Sequence, residues 1–131
     1  MQYKKNRHSA YLLHAHIVFV TKYRRKVLSE VHQAFFSQSA AQICQDFKAE
    51  LKECNGEPDH IHMLIEYPPT VQLTKMINSL KAVSSRKMRR EFADLAGAYS
   101  KSVLWSRAYF VSSCGGAPLD VIKNYIQNQQ G

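Results

Sequence analysis

Three features of the sequence predict an α+β domain. Apolar segments of strand length alternate with amphipathic segments of helix length. A short stretch bounded by Gly and Pro separates two of the strand-like segments in the middle of the chain. The length, 131 residues, is enough to bury one core and is that of a single domain, 1–131. A hydrophobic fraction of 45% with 21% charged residues is the balance of a globular chain.

The elements follow in order. Tyr11 to Val20 is apolar and rich in Val, Ile and aromatic residues, which fits a buried strand. Ser29 stands where a helix N-cap is expected. Val31, Phe35, Ile43, Phe47 and Leu51 then recur at multiples of four and predict one apolar stripe on that helix. Glu53 to Pro58 reads as a short strand and turn, ending at Gly56 and Pro58. His60 to Tyr67 alternates and is stopped by Pro68 and Pro69. Leu73, Met76, Ile77, Leu80, Val83 and Met88 mark a second helix. Val103 to Ser112 is a further strand, with Trp105, Tyr109, Phe110 and Val111, and Gly115-Gly116 reads as a loop. Pro118 suits the first turn of a last helix, from Leu119 to about Gln129. The order strand, helix, strand, strand, helix, strand, helix is the split βαβ of the ferredoxin-like fold. It predicts an antiparallel sheet with helices on one face and an extra C-terminal helix. The other sheet face is open unless a partner or that helix covers it.

Eighteen Lys and Arg against ten Asp and Glu leave a net charge of +8. A small basic domain commonly meets a polyanion, nucleic acid first among them. Basic faces also bind membranes, and some are only solvated. No apolar run is long enough to span a bilayer, because Lys22 to Lys26 interrupts the longest one. Met1 to Arg7 is basic and polar without a signal-peptide core. Cys44, Cys54 and Cys114 are widely spaced with no CxxC, and read as reduced thiols of a cytosolic protein. No phosphate-binding GxxxxGK[ST], no HExxH and no GxSxG is present, so ATP-driven, zincin and serine-hydrolase chemistry have no visible support.

Pro58-Asp59-His60-Ile61-His62-Met63-Leu64-Ile65 is the most informative stretch. On a strand, His60 and His62 project together while Ile61, Met63 and Ile65 project oppositely. The apolar set suits the helix-packed face, so the histidines fall on the open face. There they are either a two-imidazole grip for a divalent metal or two half-exposed strand histidines. His14-Ala15-His16 has the same spacing on the first strand, which the ferredoxin-like order places beside the third. His14 or His16 is then either a neighbour of the site or a half-buried sheet histidine. Glu66 shares the parity of His60 and His62, and Asp59 either orients a histidine or shapes the turn. In the last segment Tyr125 and Gln129 are four apart and share a helix face. They read as a nucleophile beside a third metal ligand, or as the packed aromatic of an amphipathic helix.

His60-Ile61-His62 matches the HUH pattern, histidine–hydrophobic–histidine. Together with Tyr125 and Gln129 it resembles the single-tyrosine transposases of the insertion-sequence 200/605 family. The likeness spans nearly the whole chain. It takes in Val18-Phe19-Val20-Thr21-Lys22-Tyr23-Arg24-Arg25-Lys26, Pro58 to His62, Leu104-Trp105-Ser106-Arg107 and Tyr109-Phe110-Val111, besides Tyr125-Ile126 and Gln129. The resemblance implies a homodimeric, cytoplasmic transposase of bacterial or archaeal type. It would cut and join single-stranded DNA with hairpin ends and have no membrane partner. It implies His60, His62 and Gln129 as ligands of a divalent metal and Tyr125 as the catalytic nucleophile. It also implies sites shared between subunits, with Gly115-Gly116-Ala117 as a joint for the tyrosine helix or as an ordinary turn.

The chemistry suits these residues. Tyrosine attack on a phosphodiester stores its energy in a phosphotyrosine, so rejoining needs no ATP. Two imidazoles and an amide oxygen suit Mg²⁺ or Mn²⁺. Lys22, Arg24, Arg25 and Lys26 form one cationic cluster, and Arg86, Lys87, Arg89 and Arg90 another. These clusters and Arg107 are the expected DNA contacts, with Arg86 and Arg90 leading the second cluster. Tyr23, Trp105 and Tyr109 are each a base-stacking platform or a core residue. Ser84, Ser85 and Ser112 are each a phosphate donor or a plain serine. The competing functions are an RRM-like binding module, an HUH nickase acting on hairpin or repeat DNA, and a domesticated transposase. The first lacks an RNP1-like run.

Overall fold

A computed structural model of the chain describes residues 4–5, 10–11 and 13–115, and the side chains of 13–113. The elements are β1 (Lys4–Lys5), β2 (Ala10–Tyr11), β3 (Leu13–Thr21), a 3-10 turn (Lys22–Arg24), α1 (Glu30–Asp46), β4 (Glu50–Glu57), β5 (His60–Tyr67), α2 (Leu73–Glu91), α3 (Ala93–Ala96) and β6 (Trp105–Gly115). β1 and β2 pair with each other. The four longer strands form one antiparallel sheet in the order β4-β5-β3-β6. This is the ferredoxin-like order, with the first and third long strands adjacent at the centre. The tyrosine helix expected at 119–129 lies outside the described residues, as does the Gly116–Ala117 joint.

Strand alternation sorts the side chains. Ala15, Ile17 and Phe19 of β3 and Ile61, Met63 and Ile65 of β5 are buried in one core with Phe36, Ala40 and Ile43 of α1 and Met76, Ile77, Leu80 and Met88 of α2. The even-numbered residues of β3 and β5 lie on the opposite face. The register places Val18 opposite His62 and His16 opposite Leu64. It also places His16 opposite Ser112 of β6.

Local chemistry sets the helix ends. The Ser29 hydroxyl accepts from the His32 N–H at 3.4 Å, and the Ser29 N–H donates to His32 Nδ1 at 2.9 Å. This is a capping box with histidine where Glu or Gln usually stands. Its other nitrogen, Nε2, lies 3.1 Å from Asp94, tying the start of α1 to α3. The stripe expected on α1 is displaced. Of the expected residues, Ile43 is buried and Phe35 and Phe47 pack against the core, but Phe36, Ala40 and Cys44 are the stripe's other buried members, Val31 is 65% exposed and Leu51 belongs to β4. A strict four-residue repeat drifts around a helix of 3.6 residues per turn, so the true stripe steps by four, three and one.

Two further expectations change. Gly56 is not the turn but a strand residue opposite Ile61. A Cβ there would stand 2.8 Å from the Gln33 side chain, which would have to move from its hydrogen bond to the Leu28 carbonyl. Gly115 is the last residue of β6 rather than part of a loop. Among the described residues no helix is long and apolar enough to cross a membrane.

Candidate metal and nucleic-acid site

β5 carries His60 and His62 on the open face of the sheet, because Ile61, Met63 and Ile65 are drawn into the core. The two rings meet edge to face with centroids 4.6 Å apart. Each Nδ1 is engaged. His60 Nδ1 lies 2.7 Å from Asp59 Oδ1, so Asp59, at the β4–β5 turn, orients the first histidine. His62 Nδ1 lies 3.4 Å from His16 Nε2. The His16 and His62 rings are within 7° of parallel, with centroids 5.6 Å apart. That separation is close to the largest a 3.4 Å nitrogen approach permits. The nitrogens therefore lie on the line between ring centres, and the rings meet edge to edge in nearly one plane. Of the two sequence readings of His16, the structure takes the neighbour of the site, in contact with His62.

With each Nδ1 engaged, Nε2 of both rings is the nitrogen that could ligate a metal. The pair lines a cavity of about 470 Å³ with Arg24, Lys26, Asn55, Pro58 and Asp59. Two imidazoles on one sheet face, each with Nε2 free of these contacts, are a donor set that fits a divalent cation. Among the described residues no group of three or more His, Cys, Asp or Glu is placed to hold a metal. Gln129, the third ligand that the resemblance implies, and the nucleophile Tyr125 both lie outside the described residues.

Burial, and then the neighbouring His60 and His16, push His62 down to about 4. His62 is therefore an uncharged imidazole at neutral pH. Burial lowers His16 too. His14 is also lowered by burial, against the pull of Glu66. Its Nε2 lies 3.4 Å from Glu66 Oε1, with both side chains buried. Glu66 is therefore committed to His14 and is four residues along the strand from His62. The hydrogen bond to His60 holds the Asp59 carboxyl below its ordinary value.

These shifts predict acid sensitivity. The unfolded chain protonates its histidines near pH 6.5, while folded His62 resists down to about 4. The unfolded state then binds more protons, so stability falls as pH drops through this window. The urea midpoint is expected to fall between pH 7 and pH 4.5. His62→Asn is expected to lose less over the same range.

The basic residues separate into two places. Lys22, Tyr23, Arg24, Arg25 and Lys26 form the turn after β3, and Arg24 Nη2 stands 3.5 Å from Asp59 Oδ2. Arg86 and Arg90, with Arg89 and Lys101, line a separate cavity of about 510 Å³ at the end of α2. Arg107 is exposed on β6, and its carbonyl accepts from Lys81 at 2.9 Å. The serines and aromatics sort themselves. Ser84 is buried and accepts the Trp105 indole N–H at 3.0 Å, so both belong to the core. Ser85 accepts from Arg89 at 3.1 Å. Tyr109 is half-buried against Phe19. Tyr23 is 73% exposed. Cys44 and Cys54 are pushed up by burial to about 12 and about 11, which makes them unreactive thiols. Tyr99, whose hydroxyl donates to the Lys22 carbonyl at 2.7 Å, has no sequence signal; it reaches the turn only through the loop after α3.

Comparison with known proteins identifies a family. Residues 9–129 match the family model described as IS200-like transposase. A transposase for insertion sequence element IS200 from Salmonella typhimurium is 32% identical over 114 residues, covering 87% of this chain and 74% of the relative. The ISDra2 transposase TnpA of Deinococcus radiodurans is 27% identical over 134 residues, covering 98% and 92%. Among solved structures, one from Deinococcus radiodurans R1, of a protein taken to be a transposase, superposes with a TM-score of 0.77. Its identity is 28%, and 96% of this chain and 97% of that one are covered. A REP-associated tyrosine transposase bound to a REP hairpin shares the fold at a TM-score of 0.57 and 11% identity, covering 96% and 68%.

Proposed function

As the chain belongs to the IS200-like transposase family, we propose that it cuts and rejoins single-stranded DNA at the ends of a mobile element through a 5′ phosphotyrosine on Tyr125. The observation that carries the reading is the histidine pair. His60 and His62 share the open face, each Nδ1 is held by a neighbour, and both line a cavity edged by Arg24 and Lys26.

The residues divide the work. Arg24 and Lys26 offset the phosphate charge at the cavity. Asp59 and His16 hold the two imidazoles in the tautomer that ligates through Nε2. His60, His62 and Gln129 would hold a divalent cation, Mg²⁺ or Mn²⁺, which would supply Lewis-acid polarisation of the phosphate. The Tyr125 phenol, with an ordinary pKa of about 10, gives up its proton as its oxygen bonds phosphorus. The phosphorus–O3′ bond breaks, and the departing oxygen takes up a proton to become a 3′ hydroxyl. One phosphate ester is exchanged for another, so the reverse attack by a 3′ hydroxyl rejoins the strand without ATP.

One tyrosine per chain makes one covalent link, and exchanging two ends needs two. A homodimer with shared sites supplies them. The β6 edge of the described sheet, with Phe110 and Val111 exposed, is a surface available for pairing. DNA with hairpin ends is the proposed substrate, in keeping with the REP hairpin held by the structural neighbour.

The test is an oligonucleotide from the end of the element that encodes the chain, incubated with the protein and resolved on a denaturing gel. A covalent protein–DNA band is expected with Mg²⁺ or Mn²⁺ and not with a chelator. Binding without cleavage under every metal condition would point instead to a non-catalytic single-strand binding module.

A further inference from the structure

The turn 22–26 carries more order than a solvated basic loop requires. Tyr23 and Arg24 both adopt left-handed backbone, with φ of 59° and 53°. Each non-glycine residue there costs about 1–2 kcal/mol, and strain of this kind persists only where surroundings enforce it. They do so here. The Thr21 hydroxyl donates to the Arg25 carbonyl at 2.7 Å. The Lys22 N–H donates to the Leu104 carbonyl at 2.8 Å, and the Tyr99 hydroxyl closes on the Lys22 carbonyl.

The strain has a visible product. Tyr23 stands out from the surface, 73% exposed, where a phenol ring gains nothing from burial. Cations surround it. Lys22 Nζ is 5.3 Å from the ring centre and the Arg25 guanidinium 5.4 Å, the latter also 4.9 Å from Tyr99. Of the three aromatics that the sequence offered for stacking, Trp105 is in the core and Tyr109 is half-buried. Tyr23 alone presents a largely open face. The next residue, Arg24, reaches Asp59, which in turn holds His60. Tyr23 is therefore one residue away from a side chain that lines the cavity of the histidine pair.

We propose that Tyr23 is the stacking platform for the unpaired base next to the phosphate held at His60 and His62, with the Arg24–Asp59–His60 link setting its distance from that phosphate. This rests on the single-strand DNA reading above and names the subsite for the flanking nucleotide.

The test is equilibrium binding in chelator, so that no cleavage intervenes. The probes are fluorescent element-end oligonucleotides, intact or with one abasic position moved stepwise across the cleavage site. Tyr23→Gly is the informative variant, because glycine accepts the left-handed backbone without cost. It is expected to melt no lower than the wild type, yet to bind about 5- to 150-fold more weakly, the loss of one stacked base. At one abasic position, and there alone, the variant and the lesion are expected not to add. The dependence of affinity on salt is expected to stay as in the wild type, while Arg24→Ala reduces its slope by about one. Tyr23→Phe is expected to bind as the wild type does. The proposal is overturned if Tyr23→Gly binds with full affinity, or if its loss adds to every abasic position alike. It is also overturned if the variant changes the sedimentation of the free protein instead, since the turn would then contact protein. An adduct without this coupling would remove the stacking subsite alone. The coupling without an adduct would remove the chemistry and keep the subsite.

Discussion

Tyr125→Phe is expected to abolish the covalent protein–DNA band while leaving binding of the element end within about a factor of two or three. The substitution removes one oxygen and keeps the ring, so whatever packing the ring makes survives. That oxygen is the atom that must bond phosphorus, and no other group on a phenylalanine replaces it. Removing the nucleophile from a set of groups that act together costs on the order of 10⁶ in rate in a well-studied hydrolase, far beyond what a gel detects. The described tyrosines offer few substitutes. The Tyr67 hydroxyl is 2.6 Å from Ser113 Oγ. The Tyr99 hydroxyl is bound to a carbonyl, and burial raises its pKa further from use. Tyr23 is exposed, one residue before Arg24 of the histidine cavity, and is the control: Tyr23→Phe should still form the adduct. A band that persists in Tyr125→Phe and disappears in Tyr23→Phe would exchange the two roles.

The fold was legible because its signals are local and periodic. The β5 alternation, stopped by Pro68 and Pro69, sorts His60 and His62 away from Ile61 and Met63 without any knowledge of the partner strands. The α2 stripe of Met76, Ile77, Leu80 and Met88 held for the same reason. The α1 stripe slipped because its core side mixes Phe36 with Ser39, Ala40 and Cys44, small residues that a search for large apolar ones passes over. Beyond one strand, the sequence placed the candidate site only coarsely, putting His14 or His16 near it without choosing between them. That His16 meets His62 depends on register across β3 and β5, which periodicity does not set. That Arg24 meets Asp59 and Tyr99 meets Lys22 depends on a loop geometry with two left-handed residues that are not glycine. Nothing in composition marks Tyr23 and Arg24 as able to adopt it. Ser84 failed oppositely: it looked like a surface donor and is a buried acceptor for Trp105, a pairing 21 positions apart.

The histidine pair yields the second large effect. Replacing His60 and His62 together by alanine is expected to remove Mn²⁺ binding by the free protein, measured by electron paramagnetic resonance, and with it the adduct. The argument rests on donors. Of the ligands in the proposed set, the two imidazoles are the only nitrogen donors, and an amide oxygen alone competes poorly with water for a divalent ion. The loss should exceed about 100-fold, because substitutions one step further out already cost 10- to 100-fold. His16→Leu supplies that inner comparison. It leaves both ligands in place, fills the same sheet position, and deprives only His62 Nδ1 of its partner. Its Mn²⁺ affinity is expected to fall within the 10- to 100-fold range, with the far-ultraviolet dichroism unchanged. The two variants differ in what they report: the double variant tests whether the open face binds metal at all, and His16→Leu tests whether the edge-to-edge contact between the rings is what holds His62 ready. If His16→Leu binds Mn²⁺ as tightly as the wild type while the double variant does not bind, His62 is positioned by its strand alone, and the His16 contact is packing.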